Sequence, residues 1–185
     1  MILLVAACGF VTIDDGDSTN DPADTSDTAS TTDANYCDDG QDTSAPRGPD
    51  CYSGTLTCGE TVELTTEGGQ ADFQAADFTS NFCFTNNGSA TYGGSERVFL
   101  VTLEADVYAV ASLSADCASM GLAAMRWTDG TTCPIDQSVP ECEGKEGNGA
   151  LAVTFGGYPA SNQWALVVDT SGDEPAAFRL SLACE

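Results

Sequence analysis

The run Glu96-Arg97-Val98-Phe99-Leu100-Val101-Thr102-Leu103-Glu104-Ala105-Asp106-Val107-Tyr108-Ala109-Val110-Ala111-Ser112-Leu113 decides the fold. It is rich in β-branched and aromatic residues, and the polar hinge Glu104-Ala105-Asp106 divides it into two strands. The first, Arg97 to Leu103, is apolar at nearly every position, as a strand covered on both faces must be. The second alternates, with Val107, Ala109, Ala111 and Leu113 on one face and Tyr108, Val110 and Ser112 on the other. A two-residue period over so short a span excludes an amphipathic helix, so the chain is organised around a sheet.

Toward the C-terminus, Gly121 to Trp127 follows Asp116-Cys117 and reads as a strand, because the turn Thr128-Asp129-Gly130 comes directly after it. Thr131 to Gly149 reads as a long loop. Three alternating strands follow at Ala150–Phe155, Gln163–Asp169 and Ala176–Ala183, separated by turns at Gly156-Gly157-Tyr158-Pro159 and Ser171-Gly172-Asp173. Toward the N-terminus, Thr55 to Thr66 supplies one or two strands with Val62 and Leu64 facing inward. Ala71 to Phe78 and Asn81 to Thr85 form a loop-rich region around Phe73, Phe78, Phe82 and Cys83, and Asn86-Asn87-Gly88-Ser89 is a turn. About seven or eight short strands with no fixed-period repeat predict an all-β, antiparallel β-sandwich.

The 185 residues suit one domain and a tail. With 29 acidic against five basic residues (Arg47, Arg97, Arg126, Lys145 and Arg179) the net charge is −24. Such a surface repels phosphate backbones, which excludes nucleic acid as a partner. There is no histidine, so Ser/His/Asp and Cys/His catalysis are excluded, and no catalytic residue stands out.

The nine cysteines suggest an oxidising compartment. The odd one is assigned to Cys8, because Val5-Ala6-Ala7-Cys8 looks like a bacterial lipobox. In that reading residues 1–8 are a signal remnant and Cys8 is the lipidated N-terminus, the chain's sole attachment to a membrane. Only seven residues precede Cys8 and none is basic, so either the true start lies upstream or the lipobox match is accidental. Residues 9–52 form an Asp/Thr/Ser-rich linker. From Asp14 to Asp50 it holds eleven aspartates and no glutamate, too little apolar surface to fold, and is expected to be a disordered tether. The folded domain is expected over 53–185.

At these residues the chain resembles the bacterial pre-peptidase C-terminal domain family. The likeness rests on Tyr92-Gly-Gly-Ser-Glu-Arg-Val-Phe99, Leu103-Glu-Ala-Asp-Val-Tyr108, Gly130-Thr-Thr-Cys133 with Cys142, Trp164-Ala-Leu-Val-Val-Asp169 and Phe178-Arg-Leu-Ser-Leu-Ala-Cys184. It covers roughly Thr55 to Glu185 and is closest to cysteine-bearing versions on predicted lipoproteins. The resemblance implies a jelly-roll-like sandwich and a non-catalytic accessory function on secreted proteins, with some related domains binding polymers or calcium. It carries no catalytic residue.

No cofactor is expected. Calcium is the one candidate, at Asp38, Asp39 and Asp42, in a short loop that a Cys37–Cys51 bond would close. Trp127, Trp164, Tyr92, Tyr108 and Tyr158 are candidates for an aromatic platform, with Tyr158, between Gly157 and Pro159, the one expected to be exposed. Arg97 and Arg179 read as ion-pair partners or as cover for a sheet face. Glu104, Asp106, Asp129 and Asp169 fall at strand ends and turns, where carboxylates solvate loops. The expected function is that of an exported surface lipoprotein in the bacterial cell envelope, an interaction or adhesion module for an envelope or extracellular protein or polysaccharide. An accessory domain beside a secreted hydrolase and a subunit of an extracellular assembly are the alternatives.

Eight cysteines remain to pair. Cys37–Cys51 and Cys133–Cys142 are expected as local bridges. Cys58 precedes the first strand and Cys184 follows the last, so neighbouring terminal strands favour Cys58–Cys184 with Cys83–Cys117. Cys58–Cys83 with Cys117–Cys184 stays open.

Overall fold

The computed structural model describes residues 51–84, 92–172 and 174–185, apart from the side chains of 116 and 117, all within the unit Ala34–Glu185. The expectations for Cys8, Cys37, Asp38, Asp39, Asp42 and the tether lie outside the described residues. The elements are β1 (Tyr52–Thr55), β2 (Thr61–Thr65), α1 (Ala75–Ser80), β3 (Glu96–Leu103), β4 (Tyr108–Arg126), β5 (Cys142–Gly156), β6 (Asn162–Thr170) and β7 (Ala177–Cys184). The class is all-β. The strands make one seven-stranded sheet in the order β1-β3-β6-β4-β7-β2, with β5 paired to β4 off that path.

β4 is 19 residues long and is shared by everything else. On one side it pairs with β5 along its whole length. On the other, Ala109–Ser114 pairs with β7 and Met120–Arg126 pairs with β6. The exchange of partners coincides with a register shift between Ala115 and Ser119, and extra residues at such a place bend a strand and sharpen its twist. The sheet therefore curls. Phe99, Val101 and Leu103 of β3 and Trp164, Leu166 and Val168 of β6 share one core with Ala109, Ala111 and Leu113 of β4 and Phe178, Leu180 and Leu182 of β7.

Four expectations are corrected here. Val107–Leu113 and Gly121–Trp127 are not separate strands: the ladder with β5 resumes beyond the shift, so Asp116-Cys117 lies within β4. The long loop ends at Glu141, because Cys142–Gly149 pairs with β4 despite its glycines and charges. The sheet is mixed, since β1 runs parallel to β3; the long connection between them, which carries β2 and α1, permits a parallel pair where a hairpin would not. The loop-rich 71–84 region contains α1, whose start is fixed by the Gln74 amide donating to Asp77 Oδ2 at 2.8 Å.

That region covers the outer face of the β1-β3-β6 half. Phe73, Phe78, Phe84 and Tyr92 form a chain of ring contacts at 5.2–6.1 Å. They pack on Val98, Val167, Ala123 and Met125 in a second core. β3 is thus apolar on both faces because both are buried, as its sequence requires. Close approach needs glycine beneath the cover: a Cβ on Gly144 would stand 2.6 Å from the Cys83 carbonyl oxygen, and one on Gly121 would stand 3.0 Å from the Tyr92 ring.

Cys58 is bonded to Cys184, joining the ends of the neighbouring strands β2 and β7. The other pairings differ from expectation: Cys51 bonds Cys133, and Cys83 bonds Cys142. Cys133–Cys142 therefore does not form, and Cys51 and Cys83, expected to bond Cys37 and Cys117, are taken by these partners instead. The 133–141 loop is fastened to the helix, with Asp136 N donating to Asp77 Oδ1 and Val139 N to Asn81 Oδ1. That fastening places Cys133 near β1 and Cys142 beneath the cover. No helix among the described residues is long and apolar enough to cross a membrane, and three disulfides fit a compartment outside the cytoplasm.

Replacing Cys58 and Cys184 together by serine is expected to lower unfolding stability by about 4–5 kcal/mol in the chain-entropy picture, since the bond spans 126 residues. Urea titration of the double variant measures it. A loss well below 2 kcal/mol would mean that the terminal strands are held without the bond.

Candidate functional site

The two halves of the sheet differ on their outer faces, one covered and one open. Under the cover, register places Glu96 of β3 opposite Asp169 of β6, Asp169 opposite Gly121 of β4, and Gly121 opposite Glu146 of β5. A row of carboxylates thus crosses four strands, with the Tyr92 ring over the glycine between them. Glu96 is 3% exposed and Asp169 1%, which corrects the expectation that Asp169 solvates a loop.

Burial dominates the chemistry of both groups. The Glu96 carboxylate accepts from the amides of Asp72 at 2.8 Å and Phe73 at 3.1 Å. Desolvation outweighs these bonds, and Asp169 adds repulsion, so the Glu96 pKa rises to about 8. Asp169 is pushed up to about 8 by burial, because the amides of Thr170, Gly94 and Gly93 face it too loosely to offset desolvation. Neither of its oxygens has a hydrogen bond of good geometry among the described residues. Tyr92 is also raised to about 12, first by burial and then by Glu146. Burial thus biases both carboxyls of the Glu96–Asp169 pair toward the protonated form. Sealed beneath Phe73 and Tyr92, the pair is part of the core, out of reach of a substrate.

The other residues singled out in the sequence are dispersed. Arg97 is 1% exposed and donates to the carbonyl oxygens of Thr65 at 2.8 Å and Glu67 at 2.6 Å; it anchors the end of β2 from inside, where surface cover was expected. Arg179 lies 3.7 Å from Glu63 in an exposed ion pair across β7 and β2. Trp164 is fully buried, Tyr92 lies under the cover, and Trp127 donates to the Thr132 carbonyl. Tyr158 is half-buried, against Trp164 and beneath the Arg126 guanidinium at 3.6 Å. The five aromatics make no common platform; among the described residues the large exposed ones are Tyr108, one of the five, and Phe82. Asp129 holds the 129–131 turn, its carboxyl lowered by hydrogen bonds from Thr131, while Glu104 and Asp106 are exposed at the β3–β4 hinge. Among the described residues no group of three or more His, Cys, Asp or Glu is placed to hold a metal ion.

The β2-β7-β4-β5 half has no cover among the described residues. Its outer face carries a shallow groove of about 260 Å³ floored by Ser112, Ser114, Ala150, Ala152 and Ser181, with Arg179 at its rim. Beside the groove runs β5, whose second half pairs on one side only. Sequence reasoning missed this place because small, neutral residues carry no chemical signature.

No protein-family model matches the chain, and no curated protein aligns with it significantly. Three solved structures are similar in outline. The pre-peptidase C-terminal domain of collagenase from Bacillus anthracis is 9% identical, with TM-score 0.42 over 71% of this chain and 95% of that one. PliG, a periplasmic inhibitor of g-type lysozyme from Aeromonas hydrophila, is 11% identical, with TM-score 0.36 over 71% of this chain and 99% of that one. CorA, a surface-associated copper-binding protein of Methylomicrobium album BG8, is 9% identical, with TM-score 0.43 over 72% of this chain and 98% of that one.

The buried pair makes stability pH-dependent with a defined sign. Folding raises Glu96 from 4.5 and Asp169 from 3.8, each to about 8, so the folded state holds protons that the unfolded state has released. Their contribution is fully present below pH 4 and is lost as pH rises toward 8. Melting temperature should therefore fall between pH 5 and pH 8, and Asp169→Asn should flatten that fall. An Asn variant with the parent's slope would show that Asp169 is ionised in the folded protein.

Proposed function

We propose that this chain is an exported, non-catalytic interaction module of the bacterial envelope, built as a jelly-roll-like sandwich of pre-peptidase C-terminal type and tethered through a lipid on Cys8. The observation that carries the reading is the contrast between the outer faces. The half holding the buried carboxylates is sealed by aromatic rings and two disulfides, while the half holding the groove is open. A module that binds needs a rigid scaffold with one unsatisfied surface, and the disulfides fit work outside the cytoplasm.

The full chain, titrated by NMR with soluble peptidoglycan fragments, a neutral polysaccharide, and cationic and anionic peptides, is expected to bind one probe class saturably. Shifts should concentrate on β4, β5 and β7, with the probe chemically unchanged. Conversion of a probe to product, or no binding of any probe at millimolar concentration, would overturn the reading. For the anchor, expression in a bacterial host with the natural upstream sequence should yield a mature chain starting at Cys8 and bearing lipid mass. An unmodified Cys8 would remove the anchor from the proposal.

A further inference from the structure

The open half presents an edge as well as a face. Gly157 N donates to Val107 O, and antiparallel ladders alternate. With Ala109 opposite Phe155, Ala111 opposite Val153 and Leu113 opposite Leu151, those residues exchange the bonds between β4 and β5. The amides and carbonyls of Ala150, Ala152 and Thr154 then point away from the sheet, and no described segment pairs with them. Six consecutive residues, Ala150 to Phe155, contain no charge and no proline, two of the devices that ordinarily blunt an edge. The other edges are guarded: β1 has four residues and a register shift, and β2 has five residues and carries the Glu63–Arg179 ion pair.

We infer that the Ala150–Phe155 edge of β5 is a strand-addition site for an extended peptide whose central residues are uncharged and whose flanks are basic. The inference rests on the module reading and names its partner. Backbone pairing along Ala150, Ala152 and Thr154 supplies recognition independent of side chains. The groove beside the edge, floored by Ala150, Ala152, Ser112 and Ser114, lies on the face toward which alternate side chains of an added strand project and takes them in. Charge selects the occupant. The run is neutral, so a charged centre would lie against small, uncharged residues. The chain as a whole carries −24. The first half of β5 carries Glu143 and Glu146 against Lys145, and Glu104 and Asp106 are exposed at the hinge whose Asp106 amide bonds Tyr158 O just past the strand's end. Basic flanks are attracted there, and a second copy, equally acidic, is repelled.

The test uses the full chain with a synthetic ten-residue peptide of six alternating valines and threonines between pairs of lysines, and its counterpart with glutamates for lysines. The lysine peptide is expected to bind, to slow amide exchange at Ala150, Ala152 and Thr154, and to weaken with salt. Ala152→Pro removes an outward amide at a position where an edge strand tolerates proline. It should weaken binding about tenfold, the cost of one or two hydrogen bonds, while Ala152→Ser restores it. Equal binding of the glutamate peptide, binding unaffected by Ala152→Pro, or association of the chain with itself through β5 would each overturn the proposal. Saccharide binding on the groove without peptide binding would overturn it and leave the module reading standing; failure of every probe would sink both.

Discussion

The structure depends on one strand changing its neighbour. β4 keeps β5 beside it from end to end and exchanges β7 for β6 where its register shifts between Ala115 and Ser119. Without that exchange, β7-β2 and β6-β3-β1 would extend in one open sheet with two exposed apolar faces. With it, the inner faces meet, and Trp164, Phe178 and Leu113 are all buried in the same core. Small residues make the bend possible. The inner face of β4 reads Ala109, Ala111, Ala115 and Ala124 among only a few larger side chains, which leaves room for Phe155 and Trp164 to meet at 4.9 Å.

Two disulfides then hold the cover against one half, and the third closes the other. Cys83–Cys142 and Cys51–Cys133 attach the 71–84 segment and the 131–141 loop to the sheet. The helix beneath them has only six residues and would not persist alone, because helix nucleation is unfavourable at that length. Its stability comes from the Phe73–Phe78–Phe84–Tyr92 rings and from Asp77 and Asn81, which hold the loop. The same cover desolvates Glu96 and Asp169. An acid-rich chain thereby raises the proton affinity of two of its carboxyls inside, where ionisation would set two like charges on adjacent strands.

The strands with clean alternation were legible: β7 and the first half of β4 have the faces that their sequences assign. β6, read as alternating, is buried on both faces, since Ala165 and Val167 lie under the cover while Trp164, Leu166 and Val168 face the first core. β3 was legible for the opposite reason, since its unbroken apolar run required burial on both sides. Cys142–Gly149 was not, because Glu-Gly-Lys-Glu-Gly-Asn has the composition of a loop, and only its long pairing with β4 makes it a strand. The helix was hidden by its length. The pairings of Cys51, Cys83, Cys133 and Cys142 were missed because proximity in sequence stood in for proximity in space, and the loop between the last two is held by α1 rather than closed on itself. Asp169 closed an apolar strand and so looked like a turn residue. What buries it is a cover 75 or more residues earlier in the chain.

The edges show where the fold leaves something undone. A curled sheet still has ends, and each uncovered end is a row of unpaired amides. β1 and β2 stop after a few residues, and β2 sets an ion pair at its margin. β5 cannot be short, because β4 needs it along its full length to stay in register through the bend. The strand that makes the bend possible is therefore also the one that must leave a long edge. Its first half is guarded by Glu143, Lys145 and the Cys83–Phe84 segment over Gly144. Its second half meets the open face with alanines and a threonine. Exposure there follows from the topology, and the absence of any charge along it leaves that stretch the least defended backbone among the described residues.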